Sequence, residues 1–255
     1  NFEATNRSNF PLAIKGVRLE GMEGAPGQEF APAVLAYNQP DRRSLTVSVP
    51  PGQPYSQPYW LRKPGNGFTY VVEEQELVGM PETPPVLRGH IRIQAGSEQI
   101  DYVRPVVRRY VDRVEGETTR PLVVVPPVAV GLSDPVLVFP NDKPRTVDVL
   151  VRGNAAAASG ELRLEPPQGW RVQPPSRGFK VAENEETALA FTISPPPGAA
   201  AGQLRAVARI NGREVSNDVR VINYQGIPPQ TLFPPSTAKL VRTDARTLAS
   251  RVGYV

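Results

Sequence analysis

Thirty prolines and 21 glycines run through all 255 residues instead of gathering in one tail. Proline fixes φ and carries no N–H, so a chain punctuated in this way cannot sustain long helices or long central strands. It reads as many short extended segments joined by tight connections, and the expected fold class is all-β. With 40% hydrophobic and 21% charged residues, the chain has the composition of a protein that buries a core.

The stretch Glu117 to Val130, ETTRPLVVVPPVAV, supplies the division. Pro121 to Val125 reads as a closing strand, Pro126-Pro127 as a stiff pivot, and Val128 as the start of a new run of short strands. Domains cluster near about 100–150 residues. The expectation is therefore two tandem immunoglobulin-like β-sandwiches, residues 1–125 and 126–223. Residues 224–255 are expected to form an extended Pro-rich linker and the first strand of a further domain. The N-terminus lacks Met, a basic n-region and an apolar h-region, and Arg251 to Val255, RVGYV, is an apolar run without a following partner. Both ends are expected to be cut from a longer product.

Within the first half, FPLAIKGVRL shifts phase around Gly16, the mark of a bulge. Leu45 to Val49 alternates strictly before Pro50-Pro51-Gly52, and Phe68 to Val72 reads as a strand after the turn cluster Lys63 to Gly67. Arg88 to Gln94 and Gln99 to Tyr110 form a hairpin about Ala95 to Glu98. In the second half, Val147/Val149/Val151, Leu162/Leu164 and Leu189/Phe191/Ile193 each repeat with period two. Asn211-Gly212 between two alternating runs predicts a type I′ hairpin, whose two central residues need φ > 0.

Chemistry-bearing residues are few. A net charge of +4 spread along the chain is a poor footprint for nucleic acid. The absence of cysteine excludes disulfides and thiolate metal sites, and no apolar run approaches the ~20 residues of a membrane helix. The single histidine, His90, sits in the strand RGHIRI and reads as a solvent-facing position. The carboxylates Glu73-Glu74, Glu183 and Glu185-Glu186 fall in loops without ordered calcium-ligand spacing, so no catalytic residue and no metal site is assigned. In DYVRPVVRRYVDRV, Arg104, Arg108, Arg109 and Arg113 with Tyr102 and Tyr110 read as the polar face of a sandwich strand whose other face is Val103, Val107 and Val111; a basic–aromatic nucleic-acid strip is the competing reading. The aromatic cluster Tyr55, Tyr59 and Trp60 supports two readings. Alternation would turn Trp60 into the core and leave Tyr55 and Tyr59 outside as a glycan platform, or all three pack as scaffold.

At YSQPYWL, at GETTRPLVVVPPVAV and at ELRLEPPQGWRVQPPSRGFKVAENEETALAFTISPPP the sequence resembles the non-catalytic middle of large bacterial PIG-L/LmbE-type deacetylases. The last of these stretches, with its Gly-Trp turn, acidic loop and strand Thr187 to Ile193, also resembles the galactosidase-associated (NPCBM-type) sandwich module. In the deacetylase family a zinc domain bearing an Ala-His-Pro-Asp-Asp motif precedes this region. No such motif occurs here, so the resemblance implies zinc only in a neighbouring domain and no cofactor in this chain. RVGYV is similar to the first strand of the α/β domain that follows in such proteins. The resemblance implies a secreted, non-catalytic accessory and spacer region, periplasmic or extracellular, that contacts neighbouring domains of its own polypeptide and a glycan. The alternative is an adhesin-like interaction module with no attached enzyme.

Overall fold

The computed structural model describes residues 1–114, 116–155, 157–224, 226–244 and 253. About 53% of the chain is β-strand, and the described residues contain no α-helix. The chain divides into two units: Asn1–Val124 with Ile222–Thr231, and Val125–Val221 with Leu232–Val255.

The first unit holds β1 (Phe2–Thr5), β2 (Leu12–Glu20), β3 (Gly27–Val34), β4 (Pro40–Arg43), β5 (Arg88–Ala95), β6 (Glu98–Pro105), β7 (Val107–Asp112) and β8 (Gly116–Pro121). Its main sheet has the order β3-β2-β5-β6; β1 pairs with β4, and β7 with β8, as separate ribbons. The expected phase shift is present, because the register of β2 against both neighbours slips between Ile14 and Gly16. Gly16 suits the bulge, since a Cβ there would lie 3.0 Å from the Gln28 carbonyl oxygen, tighter than an ordinary contact. The β5–β6 hairpin turns where expected, with Gly96 at φ 62°.

Several expectations for this unit are corrected. Leu45 to Val49 alternates, and Leu45 and Val47 pack on two small apolar clusters, yet no strand pairs with the segment. Alternation specifies which side chains face inward; it does not supply a partner backbone. Phe68 to Val72 is likewise unpaired. Asn66 Oδ1 accepts the amides of Phe68 and Thr69 at 3.0 and 2.8 Å and closes a local turn in place of a ladder. Of Pro121 to Val125 only Pro121 lies in a strand. The valine face anticipated for Val103, Val107 and Val111 is not buried, and Val111 is 79% exposed, because β7 and β8 form a lone ribbon with both faces open.

The second unit holds β9 (Val128–Leu132), β10 (Val136–Phe139), β11 (Arg145–Gly153), β12 (Ala157–Glu165), β13 (Arg171–Gln173), β14 (Ser176–Ala182), β15 (Glu186–Ser194), β16 (Ala200–Ile210), β17 (Arg213–Val215) and β20 (Thr237–Arg242), with β18 (Arg220–Ile222) and β19 (Gln230–Leu232) pairing near the passages between units. One sheet runs β10-β20-β16-β12-β14, with β17 beside the end of β16. The other runs β13-β15-β11-β9. Their inner faces carry the period-two residues read from sequence: Val147, Val149 and Val151; Leu162 and Leu164; Phe191 and Ile193. The two sets interlock in one core, which is the packing of a β-sandwich. Trp170, 5% exposed, closes one end with its ring edge-on to Phe139, centroids 4.9 Å apart. Asn211 and Gly212 adopt φ 48° and 80°, as the I′ hairpin requires.

A segment assigned to the linker belongs to this sandwich. Thr237–Arg242 pairs with β16 in antiparallel and with β10 in parallel, and buries Ala238 and Leu240. The approach to it is stitched by polar groups. Buried Ser236 donates its hydroxyl to the Val130 carbonyl and its amide to Ser216 O, while Asn217 Nδ2 donates to Phe233 O at 3.0 Å. Proline-rich sequence without periodicity concealed this strand, because its pairing is with residues more than thirty positions away. Pro126 and Pro127 lie in this unit, and their carbonyls accept from Asn154 at 3.1 and 2.9 Å. Of the RVGYV run only Gly253 is among the described residues.

On the outer face of the larger sheet, Val207 is fully buried although it points away from the core. Arg163 lies opposite it, and its guanidinium donates at 2.7 Å to both Glu165 and Glu214, while Arg205 meets Glu165 at 3.0 Å. Charged side chains cover apolar surface with their stems in this way. Partial burial tends to raise the Glu165 carboxyl, but the hydrogen bonds from Arg163 and Arg205 outweigh it and hold the group below the usual carboxylate range. A lowered folded-state pKa contributes stability above the unfolded value and loses it as pH falls through the folded one.

Two outcomes are expected. The melting temperature of the second unit should decline between about pH 5 and pH 3, and Glu165→Gln should flatten that slope in calorimetry. Trp170→Ala should cost about 3–5 kcal/mol in denaturant unfolding, whereas Trp60→Ala, at a half-buried position outside the apolar clusters, should cost less.

Candidate functional site

Residues 53–58 contain prolines at 54 and 58, which keep the segment extended while denying it a ladder. It is held by single clamps. Ser56 N donates to Val124 O at 3.0 Å, and Val124 N returns a bond to Ser56 Oγ at 2.8 Å. At its end the chain turns through a 3₁₀ turn, Tyr59–Leu61, closed by Leu61 N to Pro58 O at 2.9 Å. The Gln57 side-chain amide donates to Leu61 O across the same turn.

That turn decides the fate of the aromatic cluster. A strand would have put Trp60 inside and Tyr59 outside; one turn of 3₁₀ geometry exchanges them. Tyr59 is 7% exposed, its N–H donates to Thr83 Oγ1 at 3.1 Å and its hydroxyl to Met80 O at 2.9 Å. Trp60 stands edge-on to it at 4.8 Å and is only half-buried. Tyr59 therefore fastens the 53–61 segment to the 80–86 segment and offers no open ring face. Tyr55 is half-buried, packs on the cluster of Met22, Leu87 and Val124, and lines a groove.

The groove, about 250 Å³, lies within the first unit. Its walls are the 53–58 segment, residues 82–86, residues 121–123 and residues 228–231. Seven of its lining residues are proline: Pro54, Pro58, Pro84, Pro85, Pro121, Pro228 and Pro229. A proline wall presents ring methylenes and carbonyl oxygens but no N–H, so it is rich in acceptors and poor in donors. Gln53, Gln57, Arg62, Glu82, Thr83 and Gln230 add polar groups; Arg62 is paired with Glu74 at 2.8 Å. Of the two tyrosines expected to form a glycan platform, Tyr55 lines the groove and Tyr59 does not; the other lining residues carry no shared motif, since the four segments are spread over residues 53–231.

His90 is half-buried beside Glu20, with which it forms an ion pair if protonated. It is not the open, solvent-facing residue expected from alternation, because β2 lies against it. Among the described residues no three His, Cys, Asp or Glu side chains are grouped to hold a metal ion, and no helix is long and apolar enough to cross a membrane.

Residues 142–211 match the family model of the NPCBM-associated, NEW3 domain of alpha-galactosidase. The matched span runs from just before β11 to the turn after β16, and so takes in the central strands of the second-unit sandwich. No curated protein matches the chain. The match to the NEW3 domain falls wholly in the second unit, whereas the groove belongs to the first.

Tyr59→Phe should test the structural role of that hydroxyl. Leaving the Met80 carbonyl without its donor should cost about 1–2 kcal/mol in denaturant unfolding.

Proposed function

We propose that this chain is a non-catalytic accessory region of a carbohydrate-active protein, and that the groove around Tyr55 is its saccharide site. The observation that carries the reading is the match of the second-unit sandwich to a galactosidase-associated domain. The groove chemistry agrees with it. Sugar hydroxyls both donate and accept, and the groove walls offer carbonyl acceptors beside polar side chains such as Gln53, Thr83 and Gln230; the Tyr55 ring and proline methylenes suit the C–H faces of a pyranose. Rigid proline walls also reduce the ordering cost of binding.

In this reading the second unit is an immunoglobulin-like sandwich serving as spacer, the first unit carries recognition, and Tyr59 acts as the brace behind Tyr55. A PIG-L/LmbE-type deacetylase as the parent protein, with its zinc in an adjoining domain, is supported by the resemblance at the three quoted stretches alone. The galactosidase-associated match supports the broader carbohydrate role. A periplasmic or extracellular location is proposed on the same ground. The second reading, an interaction module without an enzyme, is favoured by one observation: β6 is an edge strand exposed along its whole length.

The test is titration calorimetry of the chain against neutral oligosaccharides. Tyr55→Ala should reduce affinity at least about tenfold in a variant that stays folded, with a lowered melting temperature because Tyr55 also packs on the Met22, Leu87 and Val124 cluster. Binding that survives Tyr55→Ala would overturn the groove assignment.

A further inference from the structure

The lone ribbon β7–β8 carries an arrangement that the fold does not need. Arg108 and Arg120 occupy directly opposite positions, and like charges placed so destabilise a ladder. Their guanidinium carbons lie 5.8 and 5.4 Å from the centre of the same ring, Tyr110, on the neighbouring pair. Among the described residues neither arginine forms an ion pair. The acidic residue on that face, Asp112, faces the hairpin end, where its Oδ1 accepts the Val114 amide at 2.8 Å. The other face of the ribbon is built conventionally, with Arg109 3.6 Å from Glu117. One face thus neutralises its charge and the other gathers two unneutralised guanidiniums around a tyrosine.

We infer that Arg108, Tyr110 and Arg120 form an anion site whose ligand is an acidic group on a saccharide, a carboxylate or a sulfate ester. Two guanidiniums on adjacent strands can grip the oxygens of one such group from both sides, and the bound anion relieves their repulsion. The tyrosine ring holds both side chains over the same patch by cation–π attraction, which lowers the rotamer entropy that binding must remove. A saccharide, and not another polyanion, is assigned because β8 continues without interruption into the groove wall, where Pro121 follows Arg120; this step rests on the saccharide reading of the groove. A nucleic acid needs a longer basic track than one pair of arginines on a chain of net charge +4.

The experiment compares an oligogalacturonate, its uncharged methyl ester, a sulfated galactan oligosaccharide and a single-stranded oligonucleotide of equal charge, by titration calorimetry at low salt. The proteins are the parent chain, Arg108→Gln/Arg120→Gln, Arg109→Gln and Tyr55→Ala. The expected result is an acidic saccharide binding at least about tenfold tighter than the ester, the excess vanishing in the double arginine variant and persisting in Arg109→Gln. Whichever of the uronate and the sulfate ester shows the larger excess identifies the anion. Equal binding of acid and ester, or an excess untouched by the double variant, overturns the site while leaving the groove intact if Tyr55→Ala still abolishes ester binding. An oligonucleotide binding as tightly through the same arginines also overturns it, as general polyanion attraction. Loss of ester binding in no variant removes the groove reading separately. Melting curves with added sulfate give a second check: sulfate should raise the transition of the parent chain further than that of the double variant, which keeps only the general stabilisation by an excluded salt.

Discussion

A proline holds a chain's direction and removes its ability to donate, and the architecture of this protein depends on that constraint. Where prolines are spaced widely enough, as between Arg145 and Glu165, nine-residue strands form and pair. Where they crowd, as from Pro50 to Pro85, the chain stays extended and is tied by isolated bonds such as Ser56 to Val124 and Tyr59 to Met80. The same residue type thus ends the ladders of the first unit and builds the rigid walls of its groove.

The second unit shows the complementary rule. Its two sheets share one core of interlocked side chains, so each β-branched or aromatic residue of the inner faces matters through volume. Polar groups in that unit also deliver a strand to its place. Ser236, Ser216 and Asn217 satisfy the backbone groups of the segments that bring β20 against β16 and β10. An unpaired carbonyl at Val130 would cost more than the ordering of one serine. The Arg163–Glu165–Arg205–Glu214 network does for the outer face what the core does for the inner one, closing over Val207.

The two units differ in what they contribute. The sandwich carries the family likeness, because its periodic core and Gly-Trp turn are what a sequence comparison can detect. The proposed saccharide groove lies on segments held by isolated bonds, and the proposed anion site on the short β7–β8 ladder, both in the first unit. A scaffold that is recognisable and a surface that is particular to this chain are the expected division when binding is carried on loops.

The sequence by itself determined the all-β character, the Asn211-Gly212 hairpin, the Gly16 bulge, the inner faces of β11, β12 and β15 and the absence of a cysteine site. Each of these follows from contacts within a few residues or from a period of two. Tertiary structure decided the rest. Leu45 to Val49 had the alternation of a strand and found no partner; Thr237–Arg242 lay in apparent linker and found two. Tyr59 and Trp60 exchanged places because a 3₁₀ turn rotates successive side chains by about 120° where a strand would rotate them by about 180°. Tyr55 was legible as an aromatic beside prolines, but the groove it lines comes from four segments that only the folded chain brings together. Pairing and convergence depend on which backbone arrives alongside, and local sequence does not encode that arrival.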